Sequence, residues 1–507
     1  MIDKLFKLNI IINTFVISYI LLWFLGWFNF SIFDLFVLNY FDPATENYHF
    51  FNLYNYKSIF FSDDFNDISH GSFTNYPHFL EHLGYLFFDN NFFPYTRIIT
   101  VTFFYSLLFL FFLFILNKTS NFLFSLLILT VFFGWNTHII YFQIFKPDIL
   151  YLFFGFLSLF VIFLLRGNNV SIIISTLCIC LSIYSKQTGL AFLFVSFISL
   201  LYLNLNIENE KKLNNRLLTS TLLYSVFILI YLFIIFYILD NNSMISFLRG
   251  MQIYANKINL PHFILHIKYY FYYGYFIIPL LTIISIFFVN DKKIRIFSIL
   301  ILLITHLLSF NSWNNLGGFS NNFILISSIS SFILVILYSS ISVQKYKKFI
   351  FFVVFINSIY FTGVIKGDLN LGYKYSVDDS ILLNLDKELK SSDEILSYNY
   401  SFINFVNKLK TDIQYDTSIP LLLWDIDIGE NNLLKPVNHK NRNSILKKIE
   451  TISSKIKNKD YKYIIFSNDN ILQIHKEINN HYYQYSSVNI NMGNFRGISV
   501  NIYVPIK

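Results

Sequence analysis

Residues 98–116 read IITVTFFYSLLFLFFLFIL, a run without a single charged side chain. An α-helix rises about 1.5 Å per residue, so a run of this length comes close to crossing the roughly 30 Å hydrocarbon core of a bilayer. Comparable runs recur near 8–28, 121–140, 149–165, 170–184, 187–204, 217–239, 263–289, 294–310, 322–341 and 349–365. The sequence therefore predicts an all-α polytopic membrane bundle of about eleven transmembrane helices, with Pro279 kinking the long run 263–289.

The composition of the whole chain indicates the same class. Of its 507 residues, 55% are hydrophobic and only 13% are charged, whereas soluble domains carry about 25% charged residues. The first run is longer than a signal-peptide core and no A-x-A cleavage pattern follows it, so we expect a retained anchor. Cys178 and Cys180 lie within one run, and we expect them to pack in the core.

The lysines and arginines between the runs predict the orientation, because cytoplasmic loops are enriched in positive charge. With the N-terminus inside and the runs alternating, every basic cluster falls on one side: Lys118; Arg166; Lys211, Lys212 and Arg216; Lys292, Lys293 and Arg295; Lys345, Lys347 and Lys348. This topology explains the net charge of +8, so no nucleic-acid partner is expected. The first loop and the residues after about Lys366 come out on the opposite, extracytoplasmic face.

The residues after about Lys366 differ in composition from the apolar runs before them. Residues 367–507 are polar and Asn-rich, and strand-like EILSY, YKYIIFS and ISVNIYVP alternate with helix-like DDSILLNLDKELK, SFINFVNKLK and NSILKKIETISSKIK. Such alternation is typical of a small α/β domain. We therefore predict a membrane domain over 1–366, followed by an extracytoplasmic α/β domain over 367–507.

The first outer loop, residues 39–97, is the most acidic part of the chain. Asp42 and Glu46 are four residues apart and would share a helix face. Further on, the segment FLEHLGYLFF alternates apolar and polar residues with a helical period. It places Phe79, Leu80, Leu83, Leu86 and Phe87 on one face, and His78, Glu81, His82 and Tyr85 on the other. This pattern predicts a helix lying in the membrane interface with its polar side toward the loop.

Two lysine motifs lie at predicted outer span ends. Lys146-Pro147-Asp148 opens the fourth run, and Lys186-Gln187-Thr188 joins the fifth to the sixth. Outer lysines run against the positive-inside bias, and ionised groups at span ends are functional candidates. Lysine suits a phosphate as a compact charge, while a carboxylate serves as a base or holds a divalent metal. Two structural alternatives stay open: lysines reaching up to the headgroups, and Asp42 as a helix start before Pro43.

In the order and sidedness of these motifs, the chain resembles the polytopic C-type glycosyltransferases (GT-C), the superfamily of aminoarabinose transferases and protein O-mannosyltransferases. The resemblance covers roughly residues 1–366. Its elements are the acidic first outer loop, Tyr76-Pro77, Lys146-Pro147-Asp148, Lys186-Gln187-Thr188, and Gly317-Gly318-Phe319-Ser320-Asn321-Asn322 before a late span.

The resemblance implies a glycosyltransferase of the bacterial inner membrane. It would move a sugar, with inversion, from a polyprenyl-phosphate donor to a lipid, glycan or protein acceptor on the outer face. The implied catalytic residues are Asp42 as general base, Glu46 as the alternative base, and Asp148 as a second acidic group. The implied donor-phosphate ligands are Lys146, Lys186 and Gln187, and the implied pocket residues are Tyr76, Pro77, His78 and Asn322.

The chain departs from the family pattern at two of these places. Many members have Asp-Glu where this chain has Asp42-Pro43, which is why Glu46 stays open as the base. His78 stands where many have a second proline. No cofactor is certain, and a divalent metal held by Asp42 and Asp148 stays an open alternative.

Three other functions compete with this interpretation. A transporter or flippase for a lipid-linked saccharide tends to carry ionisable residues at the membrane midplane, and the middles of these runs are almost free of them. A polysaccharide polymerase or ligase typically has its large outer loop deep within the chain. A structural membrane scaffold would be indifferent to Asp42→Asn, whereas a transferase would lose activity.

Overall fold

The computed structural model of the chain describes residues 17, 77–88, 96–133, 146–205, 210–240, 260–272, 274–312, 323–361, 393–397, 414–416, 450–467, 472–492 and 495–506. The chain divides into two compact units: Met1–Phe30 with Thr100–Leu371, and Ser31–Ile99 with Gly372–Lys507. The second unit thus groups most residues of the predicted first outer loop with those that follow Leu371.

Most of the described helices belong to the first unit. In chain order the helices before the sheet are α1 (Phe79–Phe88), α2 (Arg97–Thr119), α3 (Phe122–Phe133), α4 (Asp148–Leu164), α5 (Asn169–Ser185), α6 (Leu190–Asn204), α7 (Glu210–Phe233), α8 (Leu260–Tyr272), α9 (Ile277–Phe287), α10 (Lys292–Ser312), α11 (Ile324–Ser340) and α12 (Gln344–Phe361). From α2 onward, each helix lies on one of the predicted runs. The run 8–28 falls outside the described residues except for Ile17.

Not all of these helices reach membrane-spanning length. Four are long and apolar enough to cross a bilayer, over Arg97–Thr119, Gln187–Asn204, Asn214–Leu239 and Lys292–Phe310, and α8 with α9 adds a fifth if the bent pair is one span. Shorter apolar helices of 10–17 residues lie over Phe122–Phe132, Asp148–Leu164, Asn169–Ser185 and Ile324–Ser340. The described residues therefore support a multi-pass membrane protein, while the count of about eleven spans stays a prediction.

The run 263–289 is broken, but not at its proline. Helices α8 and α9 meet at an angle of 73°, and Gly274 between them has φ +75°, a conformation that glycine adopts without steric cost. Pro279 is the third residue of α9. The first four N–H groups of a helix have no intrahelical acceptor, so proline is tolerated there. The expected kink at Pro279 is therefore wrong, and the break precedes it.

The basic clusters of several connections lie at one end of the bundle. Arg216, near the start of α7, donates from Nη2 to the carbonyl oxygen of Arg166 at 2.9 Å. Lys293, at the start of α10, donates from Nζ to the carbonyl oxygen of Leu205 at 2.6 Å. The ammonium of Lys118 lies 5.4 Å from the ring centroid of Phe163, three residues before Arg166. These contacts place basic residues of several connections at one end of the helices, while the side of the membrane that this end faces stays a prediction.

An aromatic cluster fills the interior between α2, α4 and α11. The Phe114 ring stacks on Phe160 with centroids 4.8 Å apart and on Phe332 at 5.3 Å, and aromatic pairs of this kind contribute about 0.5–1.5 kcal/mol each beyond their burial. A Cβ added at Gly155 of α4 would lie 2.3 Å from the Phe192 ring of α6. The glycine thus allows α4 and α6 to pack closely.

The second unit contains a five-stranded mixed sheet with the order β2-β1-β3-β5-β4. Its strands are β1 (Glu394–Ser397), β2 (Gln414–Asp416), β3 (Tyr461–Ser467), β4 (Tyr482–Met492) and β5 (Phe495–Pro505), with α13 over 450–458 and α14 over Leu472–His481. Strand β1 pairs in parallel with β2 and β3, while β5 is antiparallel to β3 and β4. The predicted strands β1, β3 and β5 are confirmed, whereas β2, β4 and α14 were not predicted.

One apolar core holds this sheet to its helices. Ile452 and Ile456 of α13 and Ile478 of α14 are fully buried against Tyr461 and Ile464 of β3. The isoleucines of α13 are four residues apart, so they lie on one face of the helix. A small sheet with helices packed on it and a core of its own is therefore present, while the side of the membrane on which it lies stays a prediction.

Candidate functional site

The two lysine motifs meet in a buried ion pair. The ammonium of Lys186 donates to Oδ1 of Asp148 at 2.7 Å. Only 5% of Lys186 and 1% of Asp148 is exposed. Asp148 is the first residue of α4, and Lys186 is the residue that ends α5. The pair therefore joins the start of one helix to the end of its neighbour.

Three local features hold this geometry. The Ser182 hydroxyl of α5 donates to the carbonyl oxygen of Tyr151 in α4 at 2.7 Å, which ties the two helices one turn from the ion pair. The Tyr151 ring lies 5.8 Å from the Lys186 ammonium, within the range of a cation–π contact. At Gly189, an added Cβ would lie 2.4 Å from the Ser182 carbonyl. The turn after Lys186 thus folds back tightly on α5, and only glycine leaves room for it.

The electrostatics of the pair follow from its burial. An unpaired charge in such a place would cost several kcal/mol, so each group requires the other. The Asp148 carboxylate also lies in the first turn of α4, where the helix dipole favours a negative charge. Lys186 is therefore a fixed cation that is neutralised locally. Lys146, two residues upstream of Asp148, is only partly buried.

A second polar pair lies close by in sequence and was missed by sequence reasoning. The Tyr184 hydroxyl of α5 donates to Oδ2 of Asp240 at 2.8 Å, and only 5% of Asp240 is exposed. Asp240 follows a π-helical turn, Ile234–Leu239, that continues α7, and such turns are frequent at functional sites. The available signal was a carboxylate directly after the predicted run 217–239. Tyr184 itself gave no signal among the many aromatic residues.

Helix α1 forms as predicted, with its polar residues turned inward. His78, just before the helix, and Glu81 are each 1% exposed, whereas Leu86 is 73% and Phe87 65% exposed. Leu80 departs from the predicted apolar face because it is completely buried. The apolar end of α1 is exposed, and its placement in the membrane interface stays a prediction.

The predicted site residues divide into two groups. The structure brings Asp148 and Lys186 into contact and buries Gln187, the next residue, to 3% exposure. Pro77 is also buried. Asp42, Glu46, Tyr76 and Asn322 lie outside the described residues. Within the described part of the chain, no group of three or more His, Cys, Asp or Glu side chains is arranged to hold a metal ion, so the site at Asp42 and Asp148 stays a prediction.

Comparisons with known proteins give a distant structural likeness. No family model matches the chain, and no curated protein matches its sequence. Among solved structures, the chain is similar to the archaeal oligosaccharyltransferase AglB from Archaeoglobus fulgidus, in complex with an inhibitory peptide and a dolichol-phosphate. The TM-score is 0.47 at 11% identity, over 97% of this chain and 76% of that chain. Because the TM-score is below 0.5, the functional assignment depends on the chain's own helices and motifs.

Proposed function

We propose that the chain is a multi-pass membrane glycosyltransferase of the GT-C type. It transfers a sugar from a polyprenyl-phosphate donor to a lipid, glycan or protein acceptor on the outer face of the membrane. The observation that carries this proposal is the buried ion pair of Lys186 and Asp148, which joins the two lysine motifs. A buried ion pair is a poor way to stabilise an apolar bundle, since hydrophobic residues of similar volume do as well or better. Function is the better reason for its presence.

Within this proposal, Asp148 is a positioning residue. It holds the Lys186 ammonium at a fixed point, and Lys146 supplies a second positive charge two residues away along the chain. Each lysine carries a compact positive charge, which suits the phosphate of a lipid-linked sugar. As the donor's glycosidic bond breaks, this charge stabilises the polyprenyl phosphate that leaves.

The base in this proposal comes from the first outer loop. The acceptor hydroxyl attacks the anomeric carbon, the bond from that carbon to the phosphate oxygen breaks, and the hydroxyl proton passes to Asp42 or Glu46. One displacement inverts the anomeric configuration. Sequence pattern and resemblance support this assignment, because both residues lie outside the described part of the structure.

The experiment is a transfer assay with the full chain in lipid nanodiscs and a panel of radiolabelled polyprenyl-phosphate sugars. Asp42→Asn and Glu46→Gln are compared with Asp63→Asn, a matched change in the same loop. Loss of a general base should lower the rate by roughly 100-fold or more, and the control should stay near wild type. Wild-type activity in both variants would refute a loop carboxylate as base. A wild-type chain that moves the donor across liposome membranes without forming a glycosidic bond would instead be a flippase.

A further inference from the structure

Three basic residues from different parts of the first unit lie at the end of the bundle opposite the ion pair. Arg216 of α7 donates from Nη2 to the carbonyl oxygen of Arg166, in the turn between α4 and α5, at 2.9 Å. The ammonium of Lys118, near the end of α2, lies 5.4 Å from the Phe163 ring and 5.8 Å from the Phe114 ring. In the described part of the chain, none of these three cations forms a salt bridge with a carboxylate.

The backbone at Arg166 is unusual for this residue type. Arg166 has φ +53°, and Gly167 after it has φ +65°. The Gly167 N–H donates to the carbonyl oxygen of Ile162 at 3.0 Å, the bond that closes a Schellman turn after α4. Arg166 therefore occupies the position where helices usually place glycine, and a side chain there costs roughly 1 kcal/mol. An arginine thus stands at this point against the preference of the backbone.

Neighbouring apolar side chains show which kind of anion fits. Leu164 and Leu165, directly before Arg166, are 53% and 41% exposed, and Leu218, two residues after Arg216, is 63% exposed. A phosphate with attached acyl chains would satisfy the cations and cover these leucines, whereas a free phosphate would leave the leucines exposed. Guanidinium groups bind phosphate oxygens in pairs because their N–H donors form a planar fork.

We propose that Lys118, Arg166 and Arg216 form a binding site for the headgroup phosphate of an anionic phospholipid. The site lies at the opposite end of the helices from the ion pair, and it does not depend on the proposed transferase activity. Basic pockets between transmembrane helices are suited to such headgroups, with each lysine or arginine contributing on the order of 1 kcal/mol near an anionic surface.

The test measures lipid binding by the full chain in detergent, using native mass spectrometry. The probes are phosphatidylglycerol and phosphatidylcholine with identical acyl chains. The cluster variant is Arg166→Gln with Arg216→Gln. The control is Lys345→Gln with Lys348→Gln, which removes the same charge from exposed lysines of α12. We expect the cluster variant to bind phosphatidylglycerol roughly tenfold more weakly or worse, and the control to change it less than about twofold.

Three results would overturn the proposal. The first is a wild type with no preference for phosphatidylglycerol over phosphatidylcholine. The second is a control that loses as much preference as the cluster variant, which would mean that general surface charge attracts the lipid. The third is displacement of the lipid by inorganic phosphate at millimolar concentration as effectively as by added phosphatidylglycerol, which would assign the site to free phosphate. Because an unstable variant would also lose lipid, Lys118→Met is measured in parallel; it keeps the apolar stem against Phe114 and Phe163 and should also weaken phosphatidylglycerol binding.

Discussion

Breaking the buried ion pair should destabilise the protein by a predictable amount. At 2.7 Å and an effective dielectric constant of about 20, the attraction between the two charges is about 6 kcal/mol. Burial of both groups offsets much of this attraction, and removing one partner of such a pair typically costs about 3–5 kcal/mol. Asp148→Asn keeps the shape of the side chain, so its cost reports the loss of the negative charge beside the Lys186 ammonium, of which only 5% is exposed.

A double-mutant cycle tests this reasoning. The variants are Asp148→Asn, Lys186→Met and the two combined, and the free energy of unfolding of the full chain in detergent is measured by chemical denaturation. Each single change should cost about 3–5 kcal/mol, while the double variant should cost much less than their sum because it leaves no unpaired charge. Asp291→Asn is the matched control, since Asp291 is an exposed helix cap whose Oδ1 accepts the Lys293 N–H at 2.8 Å; asparagine caps equally well, so little change is expected.

The cycle also separates stability from function. The double variant should fold but should not transfer sugar, because the fixed cation is gone. The reasoning is refuted if the single variants are as stable as the wild type, or if their costs add without coupling. A stable double variant with normal transfer would show that the ion pair of the wild-type chain plays no part in the proposed reaction.

Three further predictions follow from single contacts. Tyr184→Phe removes the donor to the buried Asp240 carboxylate and should lower the free energy of unfolding by about 1–3 kcal/mol; equal stability in the same denaturation assay would argue against this bond. Gly189→Ala forces a Cβ onto the Ser182 backbone and should cost more than roughly 2 kcal/mol, whereas Ser342→Ala at an exposed position should be nearly neutral. Burial raises the pKa of Tyr482. An unfolded tyrosine loses its proton near pH 10 while the buried one keeps it, so the sheet should lose stability as the pH rises above about 10. Tyr482→Phe should remove that part of the pH dependence. Resistance of the C-terminal residues to subtilisin at pH 8 and pH 11 measures it, and identical pH profiles for both proteins would contradict the assignment.

The helices could be predicted from the sequence because run length alone determines them. A run such as 98–116 has no stable alternative to a helix in an apolar environment, where every backbone N–H and C=O must be bonded within the segment. The same logic predicted that Asp148, at the start of α4, and Lys186, at the end of α5, lie at the same end of the bundle. It could not predict their contact, because the rotation of α4 against α5 depends on packing such as the bond from Ser182 to Tyr151.

The missed elements lack the patterns on which such predictions depend. Strand β4 reads YYQYSSVNINM, in which serine, asparagine and glutamine interrupt the apolar residues, and it is held by its pairing with β5 along most of its length. Strand β2 has only three residues, QYD, too few for any period. The π-helical turn before Asp240 is invisible in the sequence because Ile234–Leu239 is uniformly apolar. In each case tertiary contacts override weak local preference.

The two lysines of the candidate site, Lys146 and Lys186, show why the surroundings of a cation, and not its residue type, decide its role. Lys186 is buried, so its position is dictated by Asp148, and it is not available to collect a ligand from solution. Lys146 is only partly buried, so an incoming donor phosphate should meet Lys146 first and reach the Lys186 pair afterwards. Lys146→Met should therefore raise the donor KM with a smaller effect on kcat, whereas Lys186→Met should lower kcat, because an interaction that strengthens as the phosphate departs acts on the transition state. The same kinetic change in both variants would show that the two lysines act as one site.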